Sequence, residues 1–453
     1  MSENSILAKK LKKLQRVIGE IRIPIFSSVT AVPNQYIPID DLISTVIEAI
    51  PPTPTPTPTV PFGIWSLSNS AGEKTYYDTY EDAIPFFSGG NAITLETSTN
   101  LSVNLVLKNG ININLNGNTL RVDDSAYITD NGIFVNTVIF NGTISLQTSS
   151  NYGLYVLNAS SKISIPAVLD GTGNNYSNGV YSIGTVTDAN VIANEGMFQG
   201  AKSAIFDNCK IKAFGPNRGN QDTVNGHALY LAGVASNMEV YSTVSNKYCA
   251  RAHVAEARLN NSRLESTAHR SVFLNGGFVD ACWMRAPNFT CKVEGGGTLR
   301  NSYSESTAAA PIYCLNQEGA VSDCTFVAQT ANVLYFVGIG TWYSNCTFIS
   351  NLAATGGSFL SGSGVLFEDC RFICRWDNAA GHCANLPLVN TSFIDCKFTT
   401  RNVSALGINV GAVGIYLVDN KFKGPAGSLG YSASLINLAL NTQDNRGNSI
   451  INY

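Results

Sequence analysis

The densest run of ionisable side chains lies between Arg251 and Glu305, and within it Glu265, Arg285 and Glu305 follow one another at 20-residue intervals. If one turn of a repeating structure has that length, the three side chains form a single outward column with Arg285 between two carboxylates. Such a column has two readings. The first is a surface ion-pair ladder, which contributes little on an exposed face. The second is a sugar-acting site. Carboxylates two turns apart lie ~9.6 Å apart at the backbone, close to the roughly 6.5–9.5 Å that separates the two acids of an inverting glycosidase. One of the pair must then keep its proton while the other stays ionised. An arginine between them favours ionisation of both, which argues against Glu265 or Glu305 as the proton donor. Asp280 and Glu294 are the substitutes. The catalytic candidates are therefore Glu265, Glu305 and Asp280, and Arg285, His269, Glu294 and Tyr303 are candidates for holding a substrate.

Other chemistry is absent from the sequence. It contains no P-loop, no GxSxG, no HExxH and no dinucleotide fingerprint followed by an acid. Gly295-Gly296-Gly297 reads as a turn. The 11 cysteines are an odd number, include no CxxC pair and form no Cys/His cluster at zinc spacing. Most stand in short apolar runs and read as small buried hydrophobes. No metal and no cofactor is expected. Aromatic side chains can stack on sugar rings, and Tyr230, Tyr248, Tyr303, Tyr313, Tyr335, Trp342 and Tyr343 lie on or near strand-like runs. Alternation turns about half of them inward.

These residues need a framework, and composition limits it. Of 453 residues, 44% are hydrophobic and only 13% charged. That is too apolar for a disordered chain and too poor in charge for a helical enzyme or a long coiled coil. The formal net charge of −3 argues against a general nucleic-acid binder. No run approaches the ~18 apolar residues that span a bilayer, so membrane insertion is not expected. The basic N-terminus is followed by no unbroken apolar stretch, so a secretory signal is not expected and folding is placed in a cytosol.

The chain reads as three parts. Residues 1–50 are helix-like: Leu7, Leu11, Leu14, Ile18 and Ile21 keep heptad spacing. Asp40 is a plausible N-cap for a second amphipathic segment, which Pro51 and Pro52 stop. Residues 51–61, PPTPTPTPTVP, favour polyproline II and form a semi-rigid spacer. Residues 62–453 repeat. The cleanest members are Ser322-Asp323-Cys324-Thr325-Phe326, Ser344-Asn345-Cys346-Thr347-Phe348, Glu368-Asp369-Cys370-Arg371-Phe372, Ile394-Asp395-Cys396-Lys397-Phe398 and Val418-Asp419-Asn420-Lys421-Phe422. Their reference positions step by 22, 24, 26 and 24 residues. Short alternating runs rich in Val, Ile, Phe and Tyr, punctuated by Gly, Asn and Asp, are strands with tight turns. With no helix between them they cannot build βαβ units, so each turn must stack on the one before. Inward residues then pile into columns, Cys on Cys and Phe on Phe. The period is too short for propeller blades, and leucine-rich-repeat spacing is absent.

This pattern resembles the right-handed parallel β-helix of pectate-lyase-like proteins and bacteriophage tail spikes. Thr79 to Ile84 resembles the helical cap that precedes the first coil in such proteins. The resemblance implies an all-β, right-handed, single-stranded parallel β-helix (a solenoid) with a short α-helical N-terminal anchor. It further implies a phage virion appendage, assembled in the host cytoplasm, that contacts and sometimes cleaves bacterial surface polysaccharide. Its partners would be a bacterial surface glycan, other virion proteins through residues 1–50, and two further copies in a homotrimer. The chain stops soon after the last repeats, where many spikes carry an extra trimerising domain. The alternatives are a stand-alone polysaccharide lyase or glycoside hydrolase, and a purely structural virion spike.

Overall fold

The structure, a computed structural model, describes Ile23–Pro24, Tyr36–Ile37 and Gly63 to Asn452, apart from residues 90–91, 150, 175, 215–226, 245–247, 289, 309–311, 315–318, 331–332, 336–339, 352–363, 378, 380–382, 386–390, 405–407, 410–415 and 428–444. The chain divides into two compact units, Met1–Phe62 and Gly63–Tyr453. In the first, Ile23–Pro24 pairs antiparallel with Tyr36–Ile37. The heptad helix, the second helical segment and the Pro-Thr spacer lie outside the described residues.

The second unit is a right-handed β-solenoid of parallel strands. Three sheets run along it. One has 16 strands and another has 11. A third sheet completes each coil, and the chain passes from the third sheet to the 16-strand sheet to the 11-strand sheet and back. The helix Tyr80–Ala83 precedes the first coils. Its N-cap Thr79 accepts a hydrogen bond from the Asp82 amide, leaving one fewer orphan donor at the helix start.

The corner between the third and the 16-strand sheet explains the repeat seen in the sequence. From Asp188 to Asp419 each coil turns there on one residue in the left-handed region, among them Asn208, Asn237, Asn261, Asn301, Asp323, Asn345, Asp369, Asp395 and Asp419 with φ between 44° and 57°. Asn and Asp tolerate that conformation better than other residues with a Cβ. Their side chains also climb the corner: Asn237 Nδ2 donates to Asp207 Oδ1 at 2.7 Å, Asn261 Nδ2 to Asn237 Oδ1 at 2.7 Å and Asn345 Nδ2 to Asp323 Oδ1 at 2.8 Å. Ala281, at φ 52°, interrupts the series.

The next residue turns inward and forms the cysteine column. Cys324, Cys346, Cys370 and Cys396 precede strand residues that are register partners, and neighbouring thiols along the column touch. Each thiol also donates to the carbonyl two residues back, at 3.0 Å for Cys324 and 3.2 Å for Cys346. Ser262 and Ser302 take the same position in other coils and bond the same carbonyl at 2.6 and 2.7 Å. Near the C-terminal end Asn420 and Asn448 replace cysteine, and their amides reach carbonyls of the coil below at 2.8 and 2.9 Å. In these coils the column holds a side chain with a donor, and Ala189 and Met238 take the position without one. Burial pushes the Cys209 and Cys282 thiols up to about 12, so they stay protonated and unreactive.

The core changes along the axis. On the 16-strand sheet one inward column reads Leu120, Ile144, Leu169, Val191, Ile211, Val240, Leu264 and Met284. It continues as Ser304, Phe326, Phe348, Phe372, Phe398 and Phe422. Those phenyl rings stack at 5.4, 4.9, 4.8 and 5.0 Å, with interplanar angles of 15° or less. Facing them on the third sheet, Tyr343, Phe367 and Phe393 stack at 4.9 and 5.0 Å. The two columns meet edge to face, as in Phe367–Phe372 at 5.4 Å and 76°. Both geometries suit the ring quadrupole and add about 0.5–1.5 kcal/mol per pair beyond burial.

Candidate functional site

Glu265, Arg285 and Glu305 are register partners on the outer face of the 16-strand sheet. Arg263, Trp283 and Tyr303 form the adjacent outward column. Inward residues between the two columns (Leu264, Met284, Ser304) are buried, and their packing fixes the backbone that presents the face. The Arg263 guanidinium lies 4.5 Å over the Trp283 ring, and Trp283 stacks on Tyr303 at 6.4 Å and 8°. Arg263 donates to Glu265 Oε2 at 3.2 Å, and Arg285 reaches Glu265 Oε1 at 3.8 Å. Glu305 accepts from Gln329 Nε2 at 2.8 Å and from the Tyr303 hydroxyl at 3.4 Å. Burial, then the Glu305 charge, pushes the Tyr303 phenol up, so it remains a donor. Arg285 is 44% exposed and Glu265 24%. The face thus offers a partly exposed indole–phenol–guanidinium stack beside a Glu–Arg–Glu column, with donors and acceptors alternating along it.

The other candidates lie elsewhere. Asp280 is on the third sheet, where it accepts from Arg300 at 3.1 Å and from Asn301 Nδ2 at 2.8 Å. The Arg300 hydrogen bond holds its carboxyl below the usual range, with further help from Asn301 and the Arg300 charge. Glu294 is on the 11-strand sheet, paired with Lys292 at 2.8 Å. His269 sits in the turn between the 16-strand and 11-strand sheets, its amide donating to Ser266 Oγ at 2.9 Å. The fold therefore brings Glu265, Arg285, Glu305 and Tyr303 together and keeps Asp280, Glu294 and His269 off that face. Among the aromatic candidates, Tyr343 is in the core, Trp342 is 46% exposed on the third sheet and Tyr248 is buried. The side chains of Tyr313 and Tyr335 lie outside the described residues.

A second polar face was not legible from alternation. In six successive coils the 11-strand sheet repeats one pattern: Tyr152-Gly-Leu-Tyr155, Asn178-Gly-Val-Tyr181, Glu195-Gly-Met-Phe198, His227-Ala-Leu-Tyr230, Tyr248-Cys-Ala-Arg251 and Arg270-Ser-Val-Phe273. The two middle residues both turn inward. A Cβ on Gly179 would lie 2.2 Å from the Gly196 carbonyl oxygen and one on Gly196 2.3 Å from Ile211 Cγ2, so the first of the two must be small. This bulge makes outward residues three apart instead of two. The outer column then stacks Tyr181 on Phe198 at 5.4 Å and Phe198 on Tyr230 at 4.6 Å, and Arg251 and Lys292 sandwich Phe273 at 5.2 and 4.6 Å. The inner column hydrogen-bonds within itself. Tyr152 meets Glu195, and burial, then the Glu195 charge, pushes its phenol well up. His227 Nδ1 accepts from the Tyr248 amide at 3.3 Å, and Arg270 donates to the Tyr248 hydroxyl at 2.8 Å. Burial pushes the His253 imidazole down, against the Leu231 carbonyl that raises it and with the Arg251 charge that lowers it further. Its ring lies 4.3 Å from Tyr230. The phenyl and phenol faces cover one another here, so this column presents edges, not open ring faces.

No protein-family model and no curated protein matches the chain. Among solved structures it is similar to the tailspike protein of E. coli bacteriophage HK620, solved as a mutant in complex with a pentasaccharide. The TM-score is 0.48 at 10% identity, over 94% of this chain and 84% of that one. It is also similar to tailspike protein 3 of bacteriophage CBA120, with a TM-score of 0.35 at 9% identity over 100% and 69%. The A-module of the mannuronan C-5 epimerase AlgE6 of Azotobacter vinelandii has a TM-score of 0.28 at 10% identity, over 82% and 93%. Among the described residues no group of three or more His, Cys, Asp or Glu could hold a metal ion, and no helix is long and apolar enough to cross a membrane.

Proposed function

We propose that the chain is a phage virion appendage, a tail spike or receptor-binding protein, that contacts bacterial surface polysaccharide. In this reading it works as a homotrimer and attaches to other virion proteins through residues 1–50. The order of segments supports the role: a heptad-spaced anchor, a stiff Pro-Thr spacer, then a long solenoid. The observation that carries glycan contact is the Arg263–Trp283–Tyr303 stack beside Glu265, Arg285 and Glu305. The partly exposed edges of Trp283 and Tyr303 offer apolar surface to a sugar ring while neighbouring carboxylates and guanidinium groups bond its hydroxyls. Successive coils space these groups at ~4.8 Å, so a linear polymer laid along the axis meets one row of them per step.

The same face favours binding over bond cleavage. Glu265 touches two guanidinium groups and Glu305 accepts two hydrogen bonds. Both carboxylates are engaged by neighbouring side chains, an arrangement suited to orienting a bound chain. The test is binding to host capsule or lipopolysaccharide, with assays for new reducing ends and 4,5-unsaturated products. Trp283→Ala should weaken binding about tenfold without shifting Tm by more than a few degrees. Unchanged affinity would remove this face as the site. New reducing ends or unsaturated products would favour a polysaccharide hydrolase or lyase instead. Failure to bind any host glycan would leave the purely structural spike.

A further inference from the structure

The C-terminal coils carry an unusual charge pattern on their outer surface. In the 16-strand sheet Arg371, Lys397 and Lys421 are register partners in one exposed column. Two residues earlier in each coil stand Asp369, Asp395 and Asp419, the left-handed corner residues, also exposed. Two parallel ladders result, one entirely basic and one entirely acidic. Like charges on adjacent strands repel. Among the described residues no carboxylate lies within 4 Å of Arg371, Lys397 or Lys421, and the ion pairs run only from Lys74–Glu96 to Arg300–Asp280.

Apolar residues flank the two ladders. Beyond the basic one lies a column that begins apolar, with Val327, Ile349 and Ile373, and ends in Thr399 and Lys423. Beyond the acidic one lie Trp342 and Leu366 in one column of the third sheet, and Glu368, Ile394 and Val418 in the next. Trp342 is 46% exposed. In the Arg371 coil the order is apolar, acidic, basic, apolar, and in the next two coils the last place passes to Thr399 and Lys423.

We propose that this corner is the surface through which copies of the chain associate. The apolar and acidic side of one copy packs against the basic and apolar side of the next. The contact is heterologous, and a homotrimer requires that its rotation close into a three-membered ring. A polyanionic glycan is the weaker fit for the basic ladder, because the acidic ladder beside it repels a polyanion. A second copy satisfies both ladders at once and covers the apolar residues beside them. The inference rests on the multimeric part of the reading above and is independent of the glycan.

The experiment measures the mass of the full-length protein in solution across dilution and salt, with circular dichroism as a folding control. Lys397→Glu/Lys421→Glu should weaken association about tenfold or more, since like-charge juxtaposition at an interface is costly. Adding Asp395→Asn/Asp419→Asn to that variant should restore part of the lost association. Asparagine keeps the left-handed corner and removes the charge that the new glutamates would face. Asp395→Asn/Asp419→Asn alone should weaken assembly. A wild-type monomer would overturn both the multimer and this surface. A multimer indifferent to these changes, or one that the second pair fails to rescue, would overturn only the surface. Loss of acidic-glycan binding with assembly intact would also overturn it and give the basic ladder to a polyanion.

Discussion

The coils around Lys210 to Glu305 and those from Asp323 to Lys423 use the same corner, the same register and the same inward positions, yet they fill them oppositely. Inside, the earlier coils pack Val191, Ile211, Val240 and Leu264 where the later ones stack Phe326, Phe348, Phe372 and Phe398. Outside, the earlier columns alternate in sign, as in Lys210–Glu239–Arg263 and Glu265–Arg285–Glu305, and pair within the chain. The later columns keep one sign. The solenoid fixes where a side chain sits and leaves its chemistry open. Alternating columns are satisfied by their own coils, and single-sign columns are not.

The largest expected contrast is in the core. Phe372 stacks on Phe348 and Phe398 and meets Phe367 and Phe393 edge-on. Phe372→Ala should cost about 3–5 kcal/mol, read as a drop in denaturation midpoint. Val191→Ala removes far less volume and should cost clearly less. Equal losses would mean that the aromatic columns add nothing beyond filled space.

A smaller effect sharpens the corner. Ala281→Asn places a residue suited to φ 52° where the series is broken and should raise stability by about 1 kcal/mol. An unchanged Tm would show that local backbone preference does not set the corner. Smallest is the acid response of the earlier coils. Arg300 and Asn301 hold Asp280 low, and hydrogen bonds from Ser164, Asn208 and Thr187 hold Asp188 low. A folded-state pKa below the unfolded one gives stability that is present above about pH 4. It is lost as pH falls through the folded value. Asp280→Asn should flatten part of that acid limb in Tm against pH, and an unaltered limb would remove Asp280 from it.

The sequence carried the solenoid because an Asn/Asp corner followed by alternating inward and outward residues recurs in nearly every coil. It also carried the Glu265–Arg285–Glu305 column, since those coils keep a constant length. It did not show that Asp280 and Glu294 face away, because sheet assignment depends on where each corner falls. The 11-strand face was missed for a different reason. Its bulge sets outward residues three apart, so period-2 reading puts Tyr155 and Phe198 on the wrong side. The six-fold recurrence of a small residue at one place (Gly, Gly, Gly, Ala, Cys, Ser) was the available signal. The charge ladders were visible in the repeats, but their meaning needed the register to show that no opposite charge lies above or below.

The central claim is that successive coils lie directly one above another. Arg263 and Arg371 occupy one outward column, five strand steps apart through Trp283, Tyr303, Thr325 and Thr347. Spin labels on Arg263→Cys and Arg371→Cys, diluted with unlabelled copies, read that separation by pulsed dipolar spectroscopy. The cysteines with described side chains are buried and should not take label. The account predicts one narrow distance near ~24 Å. A broad distribution, or a distance twice as long, would contradict it.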